Sequence, residues 1–365
     1  VAVVATMYGT VLANAVPRAP ESSVDVFVDV DTVLRPIYRA AKVSDQWFPE
    51  AYRRNPYLLS SQIANMAGHF RYYFISEHRV YSNVFFFFSS GRVSMPGVPG
   101  YGEKLWRTYR GGEHPEFGRI NEAILGVEVP FMKRFFPFLP HTYFVDTVDL
   151  EKNIVPHYVG SFLHREQEPV ATFVLTNDQV LWQYARFDRT HILTLKGANS
   201  KLISKKNLVA EYYLSKKTPA PPLSPSLFPY VLALAGSERY GVEGAPGIGA
   251  VRACNLLWKL VQEKTVSNSV HDDPEFLAQR AKASGNHVVS LEHNLETMVR
   301  NFKAFDVKFL TRDALSRARA LLVERIDHAI IDRVNAGVLR KANQTYTKNY
   351  PVDYDKVLAG EEYPF

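Results

Sequence analysis

The clearest periodicity in the chain lies at Val24-Asp25-Val26-Phe27-Val28-Asp29-Val30-Asp31, where valine occupies every second position. A period of two predicts a strand, and alternation places Asp25, Asp29 and Asp31 on one side of it, Asp29 and Asp31 near its carboxyl end. Leu58 to Glu77 repeats its apolar groups at helical spacing. Val84-Phe85-Phe86-Phe87-Phe88 is a short unbroken apolar run, the mark of a strand buried on both faces. Ile120 to Phe136 predicts a helix, His141 to Val145 a strand, Val155 to Arg165 a helix, and Val170 to Leu175 a further strand. Strands alternating with helices define an α/β fold with a mainly parallel sheet flanked by helices.

The prolines Pro219, Pro221, Pro222 and Pro225 mark a stiff, turning connector, beyond which the pattern is mostly helical. The expected division is an α/β unit over 1–218, a helical region over 219–310, and a C-terminal helix and tail over 311–365. Within the last part, Asp313 to Asn343 carries a long helical period and the tail from Tyr350 is irregular. At the other end, Val1 to Val16 is apolar and closes on Ala13-Asn14-Ala15, but no basic segment precedes it. It reads as a packed strand or helix rather than a secretion signal.

Composition narrows the classes. With 365 residues, 46% of them hydrophobic, the chain can bury a large core. No stretch approaches the roughly 20 apolar residues of a membrane span. The single cysteine, Cys254, excludes an intrachain disulfide and a cysteine-based zinc site. Its expected role is a small buried apolar residue, and the expected setting is the cytoplasm or another reducing compartment. A net charge of +6 and a pI near 9.1 suit a nucleic-acid partner without specifying one.

The sharpest local signal is Gly244-Ala245-Pro246-Gly247-Ile248-Gly249-Ala250-Val251-Arg252. Glycines let backbone N–H groups approach a phosphate, and the helix N-terminus that follows favours an anion. The spacing fits a helix–hairpin–helix, which grips the nucleic-acid backbone without reading bases, better than an ordinary turn between packed helices. Gly244, Gly247, Ile248, Gly249 and Arg252 are therefore candidate nucleic-acid contacts. Lys104, Arg107 and Arg110 recur at roughly helical spacing in a Gly-rich basic segment and are further candidates; a solvated basic face explains them equally well.

Taken in order, these segments resemble the flap-endonuclease and 5′–3′ exonuclease family, whose nuclease domain is PIN-like and carries a helix–hairpin–helix. Phe27-Val28-Asp29 with Leu34-Arg35, Asn83 to Arg92, Thr147 to Val155 and Val174 to Gln183 are similar to four further family segments, and the likeness spans 24 to 310. The resemblance implies carboxylates around two divalent ions that activate water and stabilise the leaving oxygen in phosphodiester hydrolysis. Asp29, Glu151 and Asp178 match family positions, with Asp29 and Asp178 as candidate metal ligands. Phe88 takes the place of a second-strand Asp, Asn153 and Ile154 follow Glu151 where the family has acids, and Val180 follows Asp178. Gly236-Ser237-Glu238-Arg239-Tyr240 stands where the family reads two Asp residues. Lys152 and Arg239 would repel a cation there. Asp31, Asp146, Asp149 and Glu238 are the nearby acids that could substitute, while capping of the next helix is an equally good role for Asp29 and Asp178.

Three functions follow from the resemblance. The first is a catalytically degenerate member that binds branched or single-stranded DNA, or RNA, or serves as a structural subunit; it needs no cofactor. The second is an active 5′ nuclease with relocated ligands, using Mg²⁺ or Mn²⁺. The third is a protein-binding scaffold in a larger assembly. Divergence of this kind suits a fast-evolving genome such as a phage's.

Overall fold

A computed structural model describes residues 23–35, 57–74, 80–93, 95, 98, 101–102, 120–136, 139, 141–163, 169–195, 200–213, 218–263, 273–283, 292–327 and 329–330. The apolar opening segment, the basic candidates Lys104, Arg107 and Arg110, and the tail from Tyr350 lie outside the described residues.

Six strands form the main sheet: β1 (Ser23–Asp29), β2 (Tyr81–Phe88), β3 (Thr142–Asp146), β4 (Ala171–Leu175), β5 (Thr190–Leu193) and β6 (Leu202–Ile203). Their order is β3-β2-β1-β4-β5-β6; all neighbours are parallel except β5 and β6. The order reverses beside β1, and the carboxyl ends of β1 and β4 on either side of such a reversal are the place where open α/β sheets bind ligands. The mainly parallel sheet read from the sequence is the sheet observed.

Each face of the sheet has its own core, and the alternation in β1 sorts residues between them. Val24, Val26 and Val28 join Phe86, Phe88, Phe173 and Leu175 on one face. Against these pack α1 (Leu58–Tyr73), through Leu59, Ile63, Ala67 and Phe70, and α2 (Val129–Phe135), through Val129, Phe131, Met132 and Phe135. The first turn of α1 has no side-chain cap of its own. The buried Glu128 supplies one, accepting from Leu59 N at 2.8 Å and Ser60 N at 2.7 Å.

Phe27, Phe85, Phe87, Val145, Val174 and Ile192 face the other way. They meet α3 (Val155–Phe162), the 3₁₀ segment Gln179–Arg186, α4 (Leu208–Tyr213) and the C-terminal helices. Those helices are α5 (Phe228–Ala235), α6 (Ala250–Gln262), α7 (Pro274–Ala283), α8 (Glu292–Phe305) and α9 (Val307–Leu322). Their apolar residues belong to the same core cluster as the strands, so the region after Pro219 packs as part of one body with the sheet. Gln183 ties the α8–α9 junction to the sheet: its amide donates to Phe305 O at 2.7 Å and accepts from Val307 N at 3.0 Å. Beside it, Arg186 and Asp306 form a buried ion pair at 2.6 Å.

Several boundaries differ from the sequence reading, and three of them bear on the site and the helices beside it. Asp31 is not part of β1; residues 30–35 are already helical. The helix from Val155 ends at Phe162, where Leu163 turns extended. The last long helix starts at Val307 rather than Asp313, because Asp306 caps it by accepting from Phe309 N at 2.8 Å.

Candidate functional site

Asp29 ends β1 and is fully buried. Its carboxylate accepts from Asp31 N at 3.2 Å, Thr32 Oγ1 at 3.0 Å and Thr176 Oγ1 at 2.9 Å, and Lys152 Nζ lies against it. The same Nζ stands 2.5 Å from Asp31 Oδ2. Asp31 therefore does meet Asp29, by way of the helical turn after β1 and not by strand alternation. Lys152 reaches this point from the 3₁₀ turn Lys152–Ile154, and its side chain is 3% exposed.

Asp178 follows β4 and caps the 3₁₀ segment Gln179–Arg186, accepting from Val180 N at 3.0 Å. Its other oxygen accepts from the Tyr240 hydroxyl at 2.7 Å and lies 3.3 Å from Arg239 Nη1. Arg239 also stands 3.7 Å from Asp31 Oδ2, so its guanidinium lies between Asp31 and Asp178. Burial pulls the Arg239 guanidinium toward losing its proton, but Asp178, Tyr240, Asp29 and Asp31 together overcome this and raise its pKa.

Glu151 caps the turn that carries Lys152, accepting from Asn153 N at 3.0 Å. It also accepts from the Tyr101 hydroxyl at 2.5 Å. Burial raises the Glu151 carboxyl above the usual carboxylate range despite that bond. Tyr101 and Tyr240 stack at 5.3 Å, and burial followed by the adjoining carboxylates pushes both phenols well up. Asn153 completes the network by donating to the Tyr240 hydroxyl at 2.8 Å.

The apolar residues read as replacing carboxylates are of two kinds. Ile154 and Val180 lie in the apolar core beneath the cluster. Phe88 does not face it. The parallel register pairs Asp29 with Phe87, whose ring lies 5.7 Å beneath Lys152 Nζ, while Phe88 packs into the core of the opposite face. The correction follows from strand alternation, which a continuous run of four phenylalanines conceals.

Of the acids considered as substitutes, only Asp31 joins the cluster. Asp146 is held by Ser90 and by Lys133 at 2.7 Å, Asp149 pairs with Arg325, and Glu238 is exposed. Among the described residues, no three His, Cys, Asp or Glu side chains converge in an arrangement that could hold a metal ion. The points where an ion would meet two carboxylates at once are taken by Lys152 Nζ and the Arg239 guanidinium. A divalent ion does not fit this arrangement without displacing them.

Arg239 and Tyr240 come from the loop of a short hairpin. Strands β7 (Gly236–Ser237) and β8 (Val242–Glu243) pair antiparallel between α5 and α6. Gly236 has φ of 72°, and a Cβ on it would lie 2.3 Å from Gly244 N; a Cβ on Gly244 would lie 2.4 Å from the Ala235 carbonyl carbon. These two glycines let the hairpin seat directly on the end of α5. Gly244 thus serves packing, and Ile248 is buried in the core. Gly247, Gly249 and Arg252 are on the surface, with Arg252 Nη1 donating to Gly247 O at 2.7 Å. Cys254 is buried on α6, and burial pushes its thiol up to about 12.

A separate cleft of about 780 Å³ opens between α7, α8 and α9, lined among others by Met95, Val98, Leu295, Arg300, Lys303 and Phe309. None of the clustered acids reaches it. No helix among the described residues is long and apolar enough to cross a membrane.

The mainly parallel sheet flanked by helices matches the 5′ nuclease fold of solved structures. The D15 protein of bacteriophage T5, crystallised with metal ions, shares it with a TM-score of 0.52 at 14% identity, over 86% of this chain and 98% of that one. A pseudo-enzyme–product complex of the T5 flap endonuclease with DNA and metal ions gives 0.51 at 13% identity, over the same shares of the two chains. The T5 5′-exonuclease with bound zinc also gives 0.51 at 13%. At these identities the likeness is one of fold. The sequence itself matches no described protein family and no curated protein.

Proposed function

We propose that this chain is a 5′-nuclease-fold protein that binds branched or single-stranded nucleic acid without cutting it, alone or as a subunit of a larger assembly. The observation that carries this reading is the pair of cations among the acids: Lys152 against Asp29 and Asp31, and Arg239 between Asp31 and Asp178. Two-metal hydrolysis needs open oxygen ligands for two ions, and here those oxygens face an ammonium, a guanidinium and a phenol. The exposed glycine turn at Gly247 and Gly249, with Arg252 beside it, supports retention of a backbone-gripping surface. A structural neighbour is a complex with DNA, which favours the same partner here.

The test is cleavage of a labelled 5′-flap DNA in Mg²⁺ and then Mn²⁺, beside an Asp29→Asn, Asp178→Asn control. The expected result is a gel shift with no cleavage product, weakened as salt rises and by Arg252→Ala. Cleavage that the control abolishes would replace this reading with an active nuclease whose ligands have moved. Neither cleavage nor binding would direct attention to protein partners.

A further inference from the structure

We infer that Lys152 and Arg239 act as built-in counter-ions, taking over the electrostatic role of divalent cations at the carboxyl edge, so that the chain holds this site together without metal. The inference deepens the non-catalytic reading and rests on the same site. Asp29, Asp31 and Asp178 are buried and are linked to one another through the same two cations. Three neighbouring buried carboxylates repel one another, and the charge must be compensated by ions or by protein. Here the protein does it. Lys152 Nζ touches one oxygen of Asp29 and one of Asp31, an arrangement that a hard cation with water-filled remaining positions also adopts. Arg239 performs the second bridge, from Asp31 to Asp178.

The supports of these two cations are themselves specific. Phe87 lies beneath Lys152 Nζ. The Lys152 backbone sits in a turn capped by Glu151, which Tyr101 holds in place. Arg239 is delivered by a hairpin whose seat on α5 requires Gly236 and Gly244. Thr32 and Thr176 donate to the remaining Asp29 oxygen. Both cations are thus positioned from their own backbones outward.

Removing Lys152 should convert the place of its ammonium into a vacancy for a divalent cation, bounded by Asp29 and Asp31. The experiment is thermal unfolding of the full chain with EDTA and with about 5 mM Mn²⁺, with bound Mn²⁺ counted by electron paramagnetic resonance. Chains compared are the unaltered protein, Lys152→Met, Arg239→Gln, and Lys152→Met with Asp29→Asn. The unaltered protein should show the same Tm in both buffers and bind no Mn²⁺. Lys152→Met should melt lower in EDTA and rise by about 4 °C or more in Mn²⁺, with one ion bound. Adding Asp29→Asn should abolish that rise.

Should Lys152→Met fail to fold in EDTA, recovery of a cooperative transition in Mn²⁺ counts for the inference. Failure in both buffers transfers the test to Arg239→Gln, whose parent side chain is 11% exposed and which should gain an ion between Asp31 and Asp178. Two results overturn the inference. Mn²⁺ binding and stabilisation of the unaltered chain would overturn it and also undercut the non-catalytic reading. No Mn²⁺ response from either single variant, with the unaltered chain equally unresponsive, would overturn the counter-ion role while leaving the non-catalytic reading intact.

Discussion

Lys152 meets Asp29 across 123 positions of sequence, and both side chains are almost wholly buried where they touch. The pair fixes the turn after β3 to the end of β1, one of the two central strands of the sheet. A buried pair gives little net stability against an apolar alternative, yet removing one partner leaves an uncompensated charge.

Lys152→Met is therefore expected to lower stability by about 3 to 5 kcal/mol in metal-free buffer. Combining it with Asp29→Asn should recover part of that loss, giving a coupling of about 1 to 3 kcal/mol. Urea denaturation of the two single variants and the double variant measures it; strictly additive losses would show that the pair is not coupled.

His157 gives the chain an acid-sensitive element. Burial first, then the positive charge of Arg186, lowers its pKa to about 4 from an unperturbed 6.5. Between those values the unfolded chain binds a proton that the folded chain refuses, so protonation favours unfolding. Its contribution is complete above about pH 6.5 and falls away as pH drops toward 4, by up to about 3 kcal/mol. Replacing His157 with Gln, which keeps a hydrogen-bonding group near Thr311, should flatten the stability profile over that window. An unchanged slope would assign the acid sensitivity elsewhere.

The hairpin glycines should behave unequally. A Cβ at Gly244 meets backbone atoms of Leu234 and Ala235 within 2.5 Å, whereas at Gly249 it meets nothing within 4 Å. Gly244→Ala should cost at least about 2 kcal/mol through displacement of the hairpin. Gly249→Ala should leave stability within about 1 kcal/mol, so any loss of nucleic-acid affinity in it reports the surface alone. Thermal melts with parallel gel shifts separate the two effects.

Glu128 holds the start of α1 from 69 residues away. Glu128→Ala should cost about 2 to 4 kcal/mol, because it orphans two buried N–H groups and the Ser60 hydroxyl. Hydrogen exchange at Leu59 and Ser60 should accelerate more than exchange in β1; uniform acceleration would argue against a local cap.

Much of the sheet was legible because β1, β2, β3 and β4 carry alternation or unbroken apolar runs, and these periods survive into the structure. Alternation alone placed Asp29 at a strand's carboxyl end, whereas Asp178 was singled out only by the resemblance to 5′ nucleases. The contacts that define the cluster were not. Lys152 and Arg239 could be recognised as cations near acids, but nothing local showed that they reach between those acids. Tyr101 lies in a Gly-rich segment with no periodic signal, and only the folded chain brings its hydroxyl to Glu151. The side of β2 that faces Asp29 was hidden by four identical residues, for which no pattern distinguishes in from out. The fold's class is a property of short periods, whereas its chemistry here depends on residues that meet over long separations.

The two-residue bridge made by Lys152 also constrains how this sequence can change over generations. Loss of the lysine at 152 leaves two buried carboxylates without the cation they share, whereas loss of the acid at 29 or at 31 leaves the ammonium its other partner. The site behaves as a ratchet. Among descendants of this chain, position 152 should stay basic for as long as both 29 and 31 stay acidic, while either acid alone is freer to change.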